Sequence, residues 1–265
     1  MNQQKERLLR GVKNTILIAA LGMMLLVALV VFFQSRPQQT EGLQPNPYGP
    51  EDFAVQDGYL TCIAGESWLG VDVSHHQGQI RWEQVAASGV RFAMIRLGHR
   101  SISDGVIRLD TYWEENYTGA RNAGLPIGVY FFSQAISVEE AREEAAFVLK
   151  VLNGRHVDFP VVFDWEDYIE NSRVANVDPE IVNACAIAFC EEIAKAGYEP
   201  MIYFNRDLAN RCWNLEELKQ QGCSFWLAMY NSDMNWPYEI QIWQYSETGS
   251  VNGIDSDVDL NLYFP

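Results

Sequence analysis

Residues 14–33 read NTILIAALGMMLLVALVVFF, twenty positions without one charge. As a helix rising ~1.5 Å per residue, that run spans ~30 Å, the depth of a bilayer's hydrocarbon core. Lys5, Arg7, Arg10 and Lys13 precede it against only Glu6, and Arg36 is the next basic residue after it. The positive-inside bias predicts a cytoplasmic tail at 1–13, a transmembrane helix at 14–33 and an extracytoplasmic remainder anchored to the cell membrane by a single pass. A cleaved signal peptide is the competing reading. Its apolar region is ordinarily only ~7–15 residues, and Phe33-Gln34-Ser35 lacks the small–x–small cleavage pattern.

Residues 34–66 change character. Four of the ten prolines lie there among glutamines, glycines and acids, with no periodic apolar face. They read as an extracytoplasmic linker that provides reach. The globular part is then 67–265. Of the chain's 19 basic and 35 acidic residues, the first 36 positions hold five and one, and 37–66 hold five acids. That leaves 14 basic against 29 acidic, a net of −15. A general nucleic-acid binder needs the opposite sign. Apolar residues at 48% exclude global disorder.

Within 67–265, short β-branched and aromatic runs alternate with amphipathic ones. Strands are predicted at 68–74, 91–98, 125–133, 159–166, 199–205, 224–230, 239–246 and near 258–262. Helices are predicted at 82–87, closed by Ser88-Gly89, and at 110–123, closed by Gly124. Two more start at Ser137, with Glu140 completing a capping box, and at Asp178-Pro179. Strands alternating with helices imply a parallel sheet, and eight of them imply a barrel. Helices thin out after residue 222, so the C-terminal part is β-rich. The fold class is α/β, an irregular (β/α) TIM-like barrel preceded by one transmembrane helix.

In such a barrel the active site lies where strands end. Acids stand at those places: Asp72 ends the first strand, Asp164 and Glu166 end the fourth, and Asp259 lies in the last. Residues i and i+2 of a strand share a face, so Asp164 and Glu166 start ~6.6 Å apart beside Val162. Val161, Phe163 and Trp165 face the other way, toward helices. Like charges that close raise one pKa, which is what a general acid near neutral pH requires.

GVDVSHHQG (70–78), PVVFDWE (160–166), YFN (203–205), WLAMY (226–230), IWQYS (242–246) and SVNGIDSDVDLNLYF (250–264) follow one another in a set order. In that order they resemble glycoside hydrolase family 25, the Chalaropsis-type lysozymes. The resemblance covers about 199 residues. It implies cleavage of the β-1,4 bond between N-acetylmuramic acid and N-acetylglucosamine in peptidoglycan glycan strands, without a cofactor. It also implies Glu166 as catalytic acid/base and Asp164 as the carboxylate that orients the reacting acetamido group. Asp72 and Asp259 are implied as the remaining cleft acids, with Asp255 and Asp257 as nearby alternatives to Asp259. Many members carry Lys-x-Thr-Glu-Gly after the second strand. Here the run is Arg96-Leu97-Gly98-His99-Arg100, so Arg96 is taken as a substrate contact without a subsite carried over from other members.

Tyr130, Tyr203, Tyr230 and Trp243 are candidates to stack on sugar faces, with core packing as the alternative for each strand aromatic. His75-His76 has no helical i, i+4 partner, and no metal is expected. Cys212 and Cys223 flank a short helical hairpin and either pair or remain free like the other cysteines. Ser74 and Ser133 lack a G-x-S-x-G setting, which argues against a serine hydrolase. The competing function is a catalytically inactive wall-binding or scaffolding barrel.

Overall fold

The computed structural model describes residues 42–167, 172–230 and 233–265. The expected transmembrane helix at 14–33 lies outside the described residues, and no helix among those described is long and apolar enough to cross a membrane.

Eight strands close a barrel. They are β3 (Trp68–Val73), β4 (Phe92–Arg100), β6 (Ile127–Ser133), β7 (Val161–Trp165), β8 (Pro200–Asn205), β9 (Ser224–Ala228), β10 (Ile242–Gly249) and β11 (Val258–Tyr263). Each pairs with the next in that order, and β11 pairs back onto β3. From β3 through β10 the neighbours are parallel. β11 is antiparallel to both β10 and β3, so the barrel departs from the all-parallel type. A short strand β5 (Ile107–Leu109) is added antiparallel to the end of β4. Gly98 allows this, because a Cβ there would lie 2.6 Å from the Arg108 carbonyl oxygen.

Four helices form where the sequence predicts them. α1 (Trp82–Ala87) follows β3, α2 (Trp113–Asn122) precedes β6, and α3 (Val138–Leu152) follows it. α4 (Pro179–Lys195) joins β7 to β8, and two short helices, α5 (Arg206–Arg211) and α6 (Leu215–Gln220), join β8 to β9. Ser137 accepts a hydrogen bond from the Glu140 amide at 3.3 Å, as its capping position requires. The reciprocal half of the box is replaced: Glu140 accepts from the Ile136 amide and from Arg173.

Strand alternation sorts the core into two parts. Val161, Phe163 and Trp165 point outward into the layer between barrel and helices, together with Ile202, Phe204 and Leu227. Val162, Met94, Met201, Trp226 and Ile242 point inward and fill the barrel. Phe92 stacks on Phe159 at 4.7 Å near the end where the parallel strands begin. The barrel is therefore a packed core beneath a polar mouth.

The linker reading of residues 34–66 is corrected over its described part. Among the described residues the compact unit begins at Gly42, not Ser67. Residues Phe53–Gln56 (β1) and Tyr59–Cys62 (β2) form an antiparallel hairpin through Asp57-Gly58. Phe53 packs edge-on to Trp243 at 5.0 Å, and Tyr59 donates to the Ser250 carbonyl at 3.3 Å. Pro45 bridges to Tyr238, and the Asn46 amide donates to the Pro237 carbonyl at 3.0 Å. The hairpin covers the outer face of β10, the side where no helix follows. All five cysteines are free and buried, so Cys212 and Cys223 are not paired.

Candidate active site

The mouth of the barrel opens into a cleft of about 460 Å³ at the C-terminal ends of the parallel strands. Asp72, Asp164, Glu166 and Asp259 all line it. Their sequence separations span almost two hundred positions, and barrel closure brings them together.

Asp72 and Asp259 are direct partners across the antiparallel β3–β11 pair. Asp72 Oδ2 accepts from Gln244 Nε2 and from Asn261 Nδ2, each at 2.8 Å. Both amides are held in that sense by aromatic donors. Tyr203 and Tyr230 hydroxyls donate to Gln244 Oε1 at 2.8 and 3.0 Å, and Trp226 Nε1 donates to Asn261 Oδ1 at 2.8 Å. Each amide oxygen receives a donor, so each amide nitrogen is turned toward Asp72. Burial raises the Asp72 pKa, and its hydrogen bonds from Asn261, Gln244 and Asp259 pull it back. Burial and then the Asp72 charge push Asp259 up to about 9, so Asp259 keeps its proton at neutral pH and shares it with Asp72.

Asp164 and Glu166 form the second pair. Burial raises both. The Glu166 charge is the next cause for Asp164, and the Asp72 and Asp167 charges raise Glu166 to about 7. Both carboxyls are thus pushed toward their neutral forms, and Asp164 Oδ1 is buried without a hydrogen-bond partner. Asp164 is deep, at 6% exposure, while Glu166 lies one residue past the end of β7 and is more open.

Arg96 sits in the same mouth with Nε and Nη2 on Asp110 Oδ2, both at 2.8 Å, and with His75 Nδ1 against Nη2. Asp110 in turn accepts from the His75 and Tyr112 amides at 3.1 and 2.9 Å. Tyr130 and Tyr203 line the cleft, and Tyr230 stands at its rim with 47% exposure. Trp243 is the exception among the aromatic candidates. It is fully buried on the outer face of β10, donates to the Met229 carbonyl at 2.9 Å and packs on Phe53. Its parity along β10 is opposite to that of Gln244, so it cannot reach a sugar. The alternatives to Asp259 fall away as well: Asp255 is exposed and paired with Arg81 at 2.6 Å, and Asp257 is exposed.

Sequence reasoning overlooked Gln244, Asn261 and Asp110. The signal for the first two was parity. Gln244 is two residues past Ile242, and Asn261 is two past Asp259, so both are polar residues on inward positions of otherwise apolar strands. Asp110 carried no such signal, since it lies outside a strand. Among the described residues, no group of three or more His, Cys, Asp or Glu side chains is arranged to hold a metal ion.

Comparison with known proteins fits this geometry. The chain is 28% identical over 209 residues to Lysozyme M1 of Streptomyces globisporus, covering 73% of this chain and 67% of that protein. The crystal structure of the bacterial lysozyme from Streptomyces coelicolor superposes with a TM-score of 0.62 at 25% identity, covering 76% of this chain and 93% of that one. The autolysin LytC from Streptococcus pneumoniae, solved in complex with a synthetic peptidoglycan ligand, has the same fold, with a TM-score of 0.68 at 21% identity. The match covers 80% of this chain and about half, 52%, of LytC. The pattern of the family "Glycosyl hydrolases family 25" matches residues 71–254, the span that runs from within β3 through β10 and holds three of the four cleft acids. The chain belongs to glycosyl hydrolases family 25.

Proposed function

We propose that this chain is a peptidoglycan hydrolase, an N-acetylmuramidase that cuts the β-1,4 bond between N-acetylmuramic acid and N-acetylglucosamine. The observation that carries the reading is the convergence of four carboxyls in one sugar-sized cleft lined by tyrosines. Lysozyme relatives and the ligand in the LytC complex supply the substrate class. Nothing favours an inactive scaffold, because all four acids are present.

The roles divide by position. Glu166, nearer the opening, donates a proton to the glycosidic oxygen as the carbon–oxygen bond breaks. The 2-acetamido oxygen of the muramoyl sugar attacks the anomeric carbon from the opposite face and closes a cyclic oxazolinium ion. Asp164, deeper and ionised while Glu166 carries the proton, orients the acetamido N–H and faces the positive ring. Water then opens the ring, and the Glu166 carboxylate takes its proton. Two inversions give net retention. Asp72, fixed by its amides, adds the negative charge that keeps the Glu166 pKa near neutrality. A covalent ester on Asp72 or Asp164 is the competing route.

The test is digestion of purified peptidoglycan by the full chain. New reducing ends on muramic acid support the reading; ends on glucosamine, or none, overturn it. De-N-acetylated muramic acid should resist cleavage and a cyclic thiazoline should inhibit, whereas a trapped glycosyl ester would favour the covalent route. The uncharged run 14–33 and its basic flank support a membrane-anchored enzyme with the catalytic domain outside. Protease added to intact protoplasts should then digest the domain; full protection would reverse the orientation.

A further inference from the structure

Glu166 is not held by the barrel's ladder. The β6–β7 pairing ends at Ser133 with Trp165, and the β7–β8 pairing ends one step earlier at Asp164 with Tyr203. The residue read above as the proton donor lies beyond both. A donor whose backbone is loose samples many placements, and a misplacement of ~1 Å costs ~10²-fold in rate.

Gln134 occupies the missing step. It follows directly after Ser133 on β6, is 1% exposed, and is not among the residues that line the cleft. Its Nε2 donates to the Glu166 carbonyl at 2.9 Å and to the Ser133 carbonyl at 3.1 Å. One side-chain amide thus ties the ends of two parallel strands together where their backbone amides no longer do. Its Oε1 is buried without a protein donor, a cost that an apolar residue of the same volume would avoid.

The segment that carries Gln134 is itself anchored. The Gln134 carbonyl accepts from Arg173 Nη1 at 3.0 Å, and Arg173 Nη2 donates to Glu140 at 2.7 Å. Trp165 Nε1 donates to the Ala135 carbonyl at 3.0 Å. Ser133 Oγ donates to the buried Glu144 at 2.6 Å, and Glu144 accepts from Arg100 Nε at 2.7 Å. A clamp transmits position only if its own base is fixed, and this one is fixed to β4, α3 and β7.

We propose that Gln134 is a positioning residue: its carboxamide extends the β6–β7 ladder by one step and sets where the Glu166 carboxyl stands relative to Asp164. The proposal rests on the reading of Glu166 as acid/base. Gln134→Met keeps the volume and removes both donors. In the full chain acting on purified peptidoglycan, kcat should fall about 10- to 100-fold, with KM within about twofold and the melting transition retained. Gln134→Asn keeps the amide but shortens its reach. It should lie between wild type and Gln134→Met, and it gives the kcat reading if the Met variant does not fold. In a Glu166→Gln background, Gln134→Met should cause no further loss, since its effect runs through Glu166. A kcat within threefold of wild type overturns the proposal, as does a loss confined to KM or an undiminished loss in the Glu166→Gln background. A near-native Glu166→Gln enzyme removes the acid reading and the clamp with it. An inactive Glu166→Gln beside an unimpaired Gln134→Met removes the clamp alone.

Discussion

From β4 to β9, every strand of the barrel runs parallel to its neighbours, and helices cover its outer face. Around the closing seam of β10, β11 and β3 the chain turns back on itself, and the hairpin β1–β2 stands in place of a helix over β10. The two sides contribute to the site differently. On the helical side the proposed proton donor, Glu166, sits where a strand has just ended and is tied down by the Gln134 side chain. At the seam, Asp72, Asp259, Gln244 and Asn261 all lie inside paired strands, and Asp72 is locked by hydrogen bonds of 2.8 Å from Gln244 and Asn261. A parallel strand must stop so that a helix can begin, which frees its terminal residue to face substrate. An antiparallel strand passes through and holds its residues on both edges. The proposed mechanism draws its mobile proton from the first side and its fixed charge from the second.

Glu166→Gln gives the largest expected effect on this division. It preserves shape, removes the proton that the leaving oxygen needs, and should lower kcat by ~10²–10⁴-fold with an unchanged melting temperature. A purified variant within tenfold of wild type would take the proton away from the helical side.

The pH profile comes next. With Glu166 raised to about 7, the rate should fall tenfold per unit as pH climbs beyond that value, since the protonated donor disappears. Stability should move in the same sense. A carboxyl whose pKa is raised on folding stabilises the fold below its ordinary value and loses that contribution as pH rises through the raised one. Glu166 and Glu144 do so near 7, and Asp259 near 9. The lowered His76 and His99 oppose this only below their ordinary 6.5. The melting temperature should therefore decline between pH 7 and 9. A rising one would mean the seam pair does not share a proton.

Asn261→Leu probes the fixed side more gently. It takes one of two amides from Asp72 and leaves Trp226 Nε1 without its acceptor. An unpaired buried group costs about 1–3 kcal/mol, and a melting curve should register a loss of that order. The rate should fall about tenfold, one decade for ~1.4 kcal/mol of lost charge placement. A loss equal to that of Glu166→Gln would erase the distinction between the two sides.

The same contrast explains what could be read from the sequence. On the helical side the pattern was explicit. VVFDWE alternates inward and outward residues, Ser137 and Asp178-Pro179 announce helices, and Gly124 ends one, so strand, face and acid pair were all legible. At the seam the clues were thinner. Asp259 was legible only through a motif with two neighbouring rivals, and its choice rests on register with Asp72, which is a pairing across almost two hundred residues. Aromatic character alone makes Trp243 a cleft candidate, and its parity along β10 settles the alternative, core packing. The hairpin was hidden by prolines: Pro45, Pro47 and Pro50 all precede β1, and the alternating FAVQ and YLTC runs around Asp57-Gly58 are only four residues each.

That hairpin gives the smallest effect on catalysis and the cleanest separation of layers. Phe53 lies on the outside of the barrel, in edge contact with Trp243 at 5.0 Å and with Phe264 at 6.2 Å. Truncating a fully buried phenylalanine costs about 3–5 kcal/mol. Phe53 is only partly buried, so Phe53→Ala should cost about 1–3 kcal/mol, or roughly 2–4 °C of melting temperature per kcal/mol in a domain of this size. Trp243 and Gln244 are adjacent on β10 but face opposite sides of the strand, so a void beside the first need not move the second. The rate on peptidoglycan should stay within twofold of wild type. A rate that falls along with the melting temperature would mean that the hairpin, through Trp243, sets the position of Gln244 and so of Asp72. The seam would then depend on its outer cover as much as on its own ladder.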